Sequence, residues 1–284
     1  MRSKKVLLAA ASAIVVGLGG LAVVNAHTAS AATDGVFKMT CGYSHTNNDD
    51  MILYPNRPGA AHTHDYFGNA GTKANSTYGS LIGVRSTCPV NDTAAYWVPA
   101  LYQNGRKLNP FHIIVYYNTP VDTARTRVQP FPNDFRMIAG NARNTRPESM
   151  GREYWGCGDN TQITHNVPTR CSVDNIQIRI TFPSCWNGRQ TSGDSAVNMR
   201  FPSGGRCPSS HSIALPMMRV NASYRTGTNV GRITLSSGSA SSAHADFVNT
   251  WDPATLKTLV DRCLNKLSRG DCGRFQGTTR GRNP

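Results

Sequence analysis

Eight cysteines, Cys41, Cys88, Cys157, Cys171, Cys185, Cys207, Cys263 and Cys272, all lie beyond an N-terminus that reads as an export leader. That combination constrains the fold most. Arg2, Lys4 and Lys5 precede an apolar run from Val6 to Val24, and small residues then offer cleavage after Ala26 or Ala31. This is the pattern of a secretory signal peptide, taken here as residues 1–32. An uncleaved anchor competes, because the run is nearly long enough to span a bilayer. Its richness in Ala and Gly and its small-residue exit favour cleavage. An even cysteine count in an exported chain predicts disulfides, without choosing their pairing. Zinc would ask for close C-x-x-C pairs, and the chain has none. The expectation is four disulfides in a secreted protein.

Roughly 250 residues remain, enough to bury a full core. The whole chain carries a formal charge of +14, of which +11 remains once the basic leader is set aside. Such a surface favours anionic partners such as uronic-acid polysaccharides or wall polymers. The basic residues show no helix-face clustering, so nucleic acid is not expected as a partner. Nor is stable membrane insertion after signal cleavage. Residues 33–273 read as one secreted β-rich domain, and residues 274–284 as a basic flexible tail.

Gly, Pro, Ser, Thr and Asn punctuate this part about every ten residues, with short β-prone runs between them. In Asp174 to Pro183, Ile176, Ile178, Ile180 and Phe182 alternate with Gln177, Arg179 and Thr181, which predicts a strand with one buried face. The runs 95–102, 111–117, 217–224 and 232–235 read as strands too, and Pro99 demotes its own run to an edge or broken strand. One helix is predicted, in WDPATLKTLVDRCLNKL. Asp252 is its N-cap, Pro253 its first residue and Gly270 its stop, with an apolar stripe through Leu256, Leu259, Val260, Cys263, Leu264 and Leu267. The fold class expected is mainly β: a disulfide-stapled sandwich or jelly-roll-like domain with a C-terminal helix.

Several phrases then carry a resemblance: HTHDYFGN (62–69), STCPVNDTAAYWVPALYQNG (86–105), QPFPNDFRMIAGNA (129–142), FPSCWNG (182–188), RCPSSH (206–211) and HADFVNTWDP (244–253). The chain resembles a family of secreted bacterial and fungal proteins known as a domain of unknown function, which in fungi often accompanies WSC or cellulose-binding modules. The resemblance implies a single extracellular domain associated with polysaccharide. It also implies that His62, His64 and His211 match the family's histidines, and that Trp97, Tyr102, Trp186 and Asp246 match its aromatics and late aspartate. After FPSCW the family shows two further histidines, where this chain has Ser195 and Asn198.

The chemistry is read from HTHDYFGN outward. Residues i and i+2 of an extended segment share a face, so His62 and His64 could approach one divalent metal, with His211, His244 or Asp246 as a third ligand. Glycoside hydrolysis would need two carboxylates, for which Asp65 and Asp246 are the candidate pair. Elimination needs a base, a proton donor and a cation for the substrate's acid group. No G-x-S-x-G elbow, P-loop or dinucleotide fingerprint occurs. The expected function is cleavage, by lyase or hydrolase chemistry, of an anionic or cell-wall glycan. His62 and His64 would move protons, with Asp65, His211 and Asp246 as further catalytic candidates. Tyr66, Arg85, Trp97, Tyr102 and Trp186 would contact the substrate. No cofactor is required by this reading; a divalent metal on His62 and His64 is the alternative, as is a non-catalytic wall-binding module.

Overall fold

Strand β1 (Val36–Asn47) is twelve residues long and belongs to two sheets at once. The strands that follow it are β2 (His64–Gly68), β3 (Ala95–Pro99), β4 (Pro110–Asn118), β5 (Arg136–Gly140), β6 (Glu153–Cys157), β7 (Ile176–Thr181), β8 (Met217–Tyr224) and β9 (His244–Val248). The computed structural model describes residues 35–89, 91–123, 126–147, 152–158, 163–189, 191–192, 195–266, 272 and 277–278. The expected signal peptide, Glu148, Leu267, Gly270 and all of the expected tail but Gly277 and Thr278 lie outside those residues.

The first half of β1 pairs with β4, from Val36 opposite Asn118 to Gly42 opposite His112. Its second half pairs with β2, after a register shift between Tyr43 and His45. Such bulges bend a strand and raise its twist, which lets one strand turn the corner between sheets. One sheet therefore runs β5-β9-β3-β2-β1, and the other runs β1-β4-β8-β7-β6. The pairs along both are antiparallel. Mainly β architecture with curled antiparallel sheets is what the alternating sequence demanded.

The main core is filled from both sheets. Phe67, Tyr96 and Phe247 come from the first, and Met39, Val115, Tyr117, Ile178, Ile180 and Val220 from the second. Fully burying a large apolar side chain contributes about 1.5–3 kcal/mol. The disulfides join neighbours in sequence: Cys41–Cys88, Cys157–Cys171, Cys185–Cys207 and Cys263–Cys272. A bridge closing a loop of about 15 residues contributes about 3 kcal/mol by limiting the unfolded chain.

The helix forms where its caps are. Asp252 accepts from the Thr255 backbone N–H at 2.8 Å, Pro253 opens the helix Pro253–Leu259, and a π-helical turn continues it through Val260–Leu264. Leu256, Leu259, Val260, Cys263 and Leu264 are buried. No helix among the described residues is long and apolar enough to cross a membrane.

One expectation is sharpened and one corrected. Of the two alternatives for the run 95–102, it is a broken strand, interrupted at Ala100 before the strand Leu101–Gln103, and not an edge: β3 lies between β9 and β2. It tolerates proline because Pro99 is its last residue, and Ala100 N–H carries the pairing on to the Thr63 carbonyl at 2.9 Å. Strand β7 is buried on both faces, not one. Arg179 lies across Gly156, bonds the Gln177 side chain at 3.0 Å and the Cys157 carbonyl at 3.0 Å, and so brings its charge indoors with partners.

Candidate functional site

Sheet register sets the site. Tyr66, Trp97, Asp246 and Ile138 form one row across β2, β3, β9 and β5. Two residues further along, His64 lies opposite Pro99, and His244 opposite Gly140. Alternation puts both rows on the face turned away from Phe67, Tyr96 and Phe247. His64 and His244 stand on strands separated by β3, yet their ring centroids are 5.8 Å apart. The compact ring of Pro99 leaves that gap open. Gly140 lets β5 close on His244: its φ is +88°, and a Cβ there would lie 2.4 Å from the Ala243 carbonyl oxygen. His62, two residues before His64, brings its ring to 4.2 Å from His64 and 4.9 Å from His244.

Backbone carbonyls fix the imidazoles. His64 Nδ1–H donates to the Asp49 carbonyl at 3.1 Å, and His244 Nδ1–H donates to the Ser242 carbonyl at 2.8 Å. Each neutral ring then presents a bare Nε2. His62 Nε2 lies 3.1 Å from His244 Nε2 and is the donor in that contact. His64 Nε2 is buried without a partner. One ligand atom from each histidine lies within 4.8 Å of the other two. Burial lowers all three pKa values: His62 moderately, His64 well below the usual range with help from its two neighbours, and His244 to about 4. The cluster is neutral at physiological pH.

Asp49 holds the scaffold rather than the chemistry. Its carboxylate accepts from Gly59 N–H and Ala74 N–H, both at 2.9 Å, and its carbonyl also accepts from the Tyr66 hydroxyl. Asp50 is buried and accepts from Ile52 and Leu53 N–H at 2.7 and 2.9 Å. Asp246 is buried with Oδ2 lacking a partner. Burial raises the pKa of both carboxyls, and Asp50 raises that of Asp246 further. Asp50, His62, His244 and Asp246 line a cleft of about 500 Å³, shared with Tyr54 and Arg143.

The structure brings together only part of the predicted set. His62, His64 and Asp246 belong to this face. Asp65 does not: adjacent to His64, it points to the opposite face and bonds Thr46 at 2.6 Å, Lys107 at 2.9 Å and Tyr224 at 3.3 Å. His211 lies on the 3₁₀ turn Ser209–His211, bonded to Ser210 and to the Val197 carbonyl, and does not line the cleft. Tyr66 is buried between His45 and Trp97, with centroids at 4.6 and 5.3 Å, so it supports the site from beneath and cannot touch a substrate. Trp97 is fully buried in the same row. Tyr102 belongs to the strand Leu101–Gln103 of a small separate sheet, and Trp186 packs edge-on against Phe135 at 5.6 Å. Arg85 is exposed but does not line the cleft. Asn198 is buried at the end of a short helix that Ser195 begins, and it too is absent from the cleft lining.

Sequence reasoning passed over Asp50, Tyr54 and Arg143. Asp50 stands in the polar run NNDD, which reads as a turn, and Arg143 follows a strand in a Gly/Asn-rich stretch. Nothing local distinguishes them. His244 entered only as an optional third ligand, on the strength of the phrase HAD.

A mainly β protein, stapled by four disulfides and carrying a buried histidine–carboxyl cluster on a cleft, is the class these observations define. The chain belongs to the family described as "Domain of unknown function (DUF1996)", whose model matches residues 50–251. That span runs from Asp50 to Trp251 and holds the whole cluster. No curated protein and no solved structure matches the chain.

Proposed function

We propose that the protein is an extracellular enzyme that cleaves an anionic polysaccharide in this cleft. The observation that carries the reading is the convergence of His62, His244 and the Asp246 carboxyl on one cavity wall, with the buried His64 ring packed against both imidazoles. Such a cluster gives neutral bases beside a second proton carrier, which both elimination and hydrolysis require. His62 is the half-buried imidazole, so it meets solvent and substrate first. Arg143 supplies a cation on the lining for a sugar carboxylate, and Tyr54, itself under the Arg57 guanidinium at 5.6 Å, offers a ring for sugar stacking. The +11 charge that remains once the basic leader is set aside supports an acidic substrate, and the disulfides suit an oxidising, external compartment.

A non-catalytic wall-binding module is the second reading. It draws on Ser195 and Asn198, which stand where the resemblance has histidines. Asn198 does not line the cleft, so its identity leaves the cluster intact.

The test is a screen of the oxidised protein against acidic and neutral polysaccharides, reading reducing ends and ultraviolet absorbance together. Reducing ends with absorbance, lost in His62→Ala/His244→Ala, mean elimination; reducing ends without absorbance mean hydrolysis. Co-sedimentation with a polymer and no cleavage would overturn the enzyme reading in favour of the binding module.

A further inference from the structure

We propose that His62, His64 and His244 form a binding site for one divalent transition cation of the zinc type, held through their Nε2 atoms. Four observations of geometry and hydrogen bonding carry this.

The first is spacing. Two nitrogens on one tetrahedral zinc, at about 2.0–2.1 Å from the metal, sit about 3.3 Å apart. His62 Nε2 and His244 Nε2 are 3.1 Å apart, and the three ligand atoms fall within 4.8 Å of one another. The second is orientation. Metal-ligating histidines characteristically donate the other ring N–H to a carbonyl or carboxylate, which fixes the tautomer. His64 does so to Asp49 and His244 to Ser242. The third is rigidity of that outer shell. Asp49 is held at its carboxylate by two backbone N–H groups, and the Ser242 carbonyl also accepts from Ser237 Oγ at 3.2 Å.

The fourth observation decides between a metal site and an ordinary hydrogen-bonded trio. A His62–His244 hydrogen bond would satisfy two of the rings by itself. It leaves His64 Nε2, on a fully buried side chain, with no partner. An orphaned acceptor costs about 1–3 kcal/mol, and a cation shared by all three nitrogens removes that cost. Imidazole donors select zinc or copper over magnesium and calcium. Three protein ligands also leave one position open, the arrangement of catalytic rather than closed structural sites. The inference deepens the reading of the same cleft by moving the base role from the imidazoles, now ligands, to a water that the cation would activate, and its test involves no glycan, so the two can fail separately.

The experiment is calorimetric titration of zinc into oxidised, chelator-stripped protein, with the visible spectrum of cobalt(II) as a second readout. The expected result is one cation per chain and a tetrahedral cobalt spectrum. His64→Gln and His244→Gln should each weaken binding by more than the about 10- to 100-fold that outer-shell changes cost. His211→Ala should bind like the parent. Because His64 is buried, circular dichroism accompanies each variant. If His64→Gln fails to fold, His62→Gln at the half-buried position takes its place. Absence of stoichiometric binding, or binding undiminished in the folded variants, would overturn the proposal.

Discussion

The sheet β5-β9-β3-β2-β1 has two faces, and each buries carboxyls among aromatic rings, yet their hydrogen bonding differs. On the inner face, Asp92 accepts from Ala94 N–H at 3.0 Å and from the Tyr96 hydroxyl at 2.9 Å. Tyr96 also bonds Tyr117, whose hydroxyl accepts from Trp251 Nε1–H at 3.0 Å. Asp65 is satisfied in the same way by Thr46, Lys107 and Tyr224. On the outer face, His64 Nε2, Trp97 Nε1 and Asp246 Oδ2 are buried without partners. Buried polar groups in folded proteins are nearly always paired, so a closed network reads as structure and a row of orphans beside a cleft reads as a site awaiting its ligand. Residue type alone would have ranked the two faces equally.

The comparison can be broken most forcefully from the inner side. Trp251 is buried at 1 % exposure against Phe37 and Tyr117. Trp251→Ala should cost about 3–5 kcal/mol, read as a lower midpoint in denaturant unfolding at unchanged disulfide content. A loss below about 1 kcal/mol would show that the inner network is not the structural half.

His244→Ala tests the outer side. Polysaccharide cleavage should fall by about 10²–10⁴-fold, the range of a lost proton-transfer group, while the unfolding midpoint moves less than in Trp251→Ala. Equal losses of stability and activity would erase the distinction between the faces.

A subtler separation comes from pH. Burial raises the Asp92 pKa from 3.8 to about 8, against the opposing bonds from Tyr96 and Ala94. The folded chain therefore keeps this proton over a range where the unfolded chain has released it. Linkage makes the contribution unfavourable to folding as pH rises from about 4 to about 8. Stability should decline across that window, and Asp92→Asn should flatten the decline. An unchanged slope in the variant would assign the pH dependence to other groups.

The smallest effect belongs to the rim. Arg143 is exposed, so its pairing with a sugar carboxylate is screened and contributes about 1 kcal/mol or less. Arg143→Gln should raise KM for an acidic glycan a few-fold, leave kcat unchanged, and do nothing to a neutral one. Identical behaviour on both substrates would remove Arg143 from recognition.

Much of the frame was legible because it depends on neighbours in sequence. The isoleucine alternation of β7, the Asp252–Pro253 helix start and the sharing of a face by His62 and His64 each follow from geometry within a few residues. The same alternation also speaks against Asp65: a residue adjacent to His64 in a strand must point the other way. Its charge makes it a candidate, and its place in the pleat removes it. Sequence makes Trp97 and Tyr66 substrate contacts, because no local signal distinguishes a buried aromatic from an exposed one.

By itself, then, the chain determined its β-rich class, its four cysteine pairs' existence and the doublet of histidines on one face. Tertiary structure alone decided which cysteines pair, and that His244 arrives beside His62 across 182 residues. It also decided that Asp246 and Asp50 share their cleft while His211 does not. The physical reason is that strand register, Gly140's open backbone and the bend in β1 set distances between segments, and none of these is encoded within any one of them.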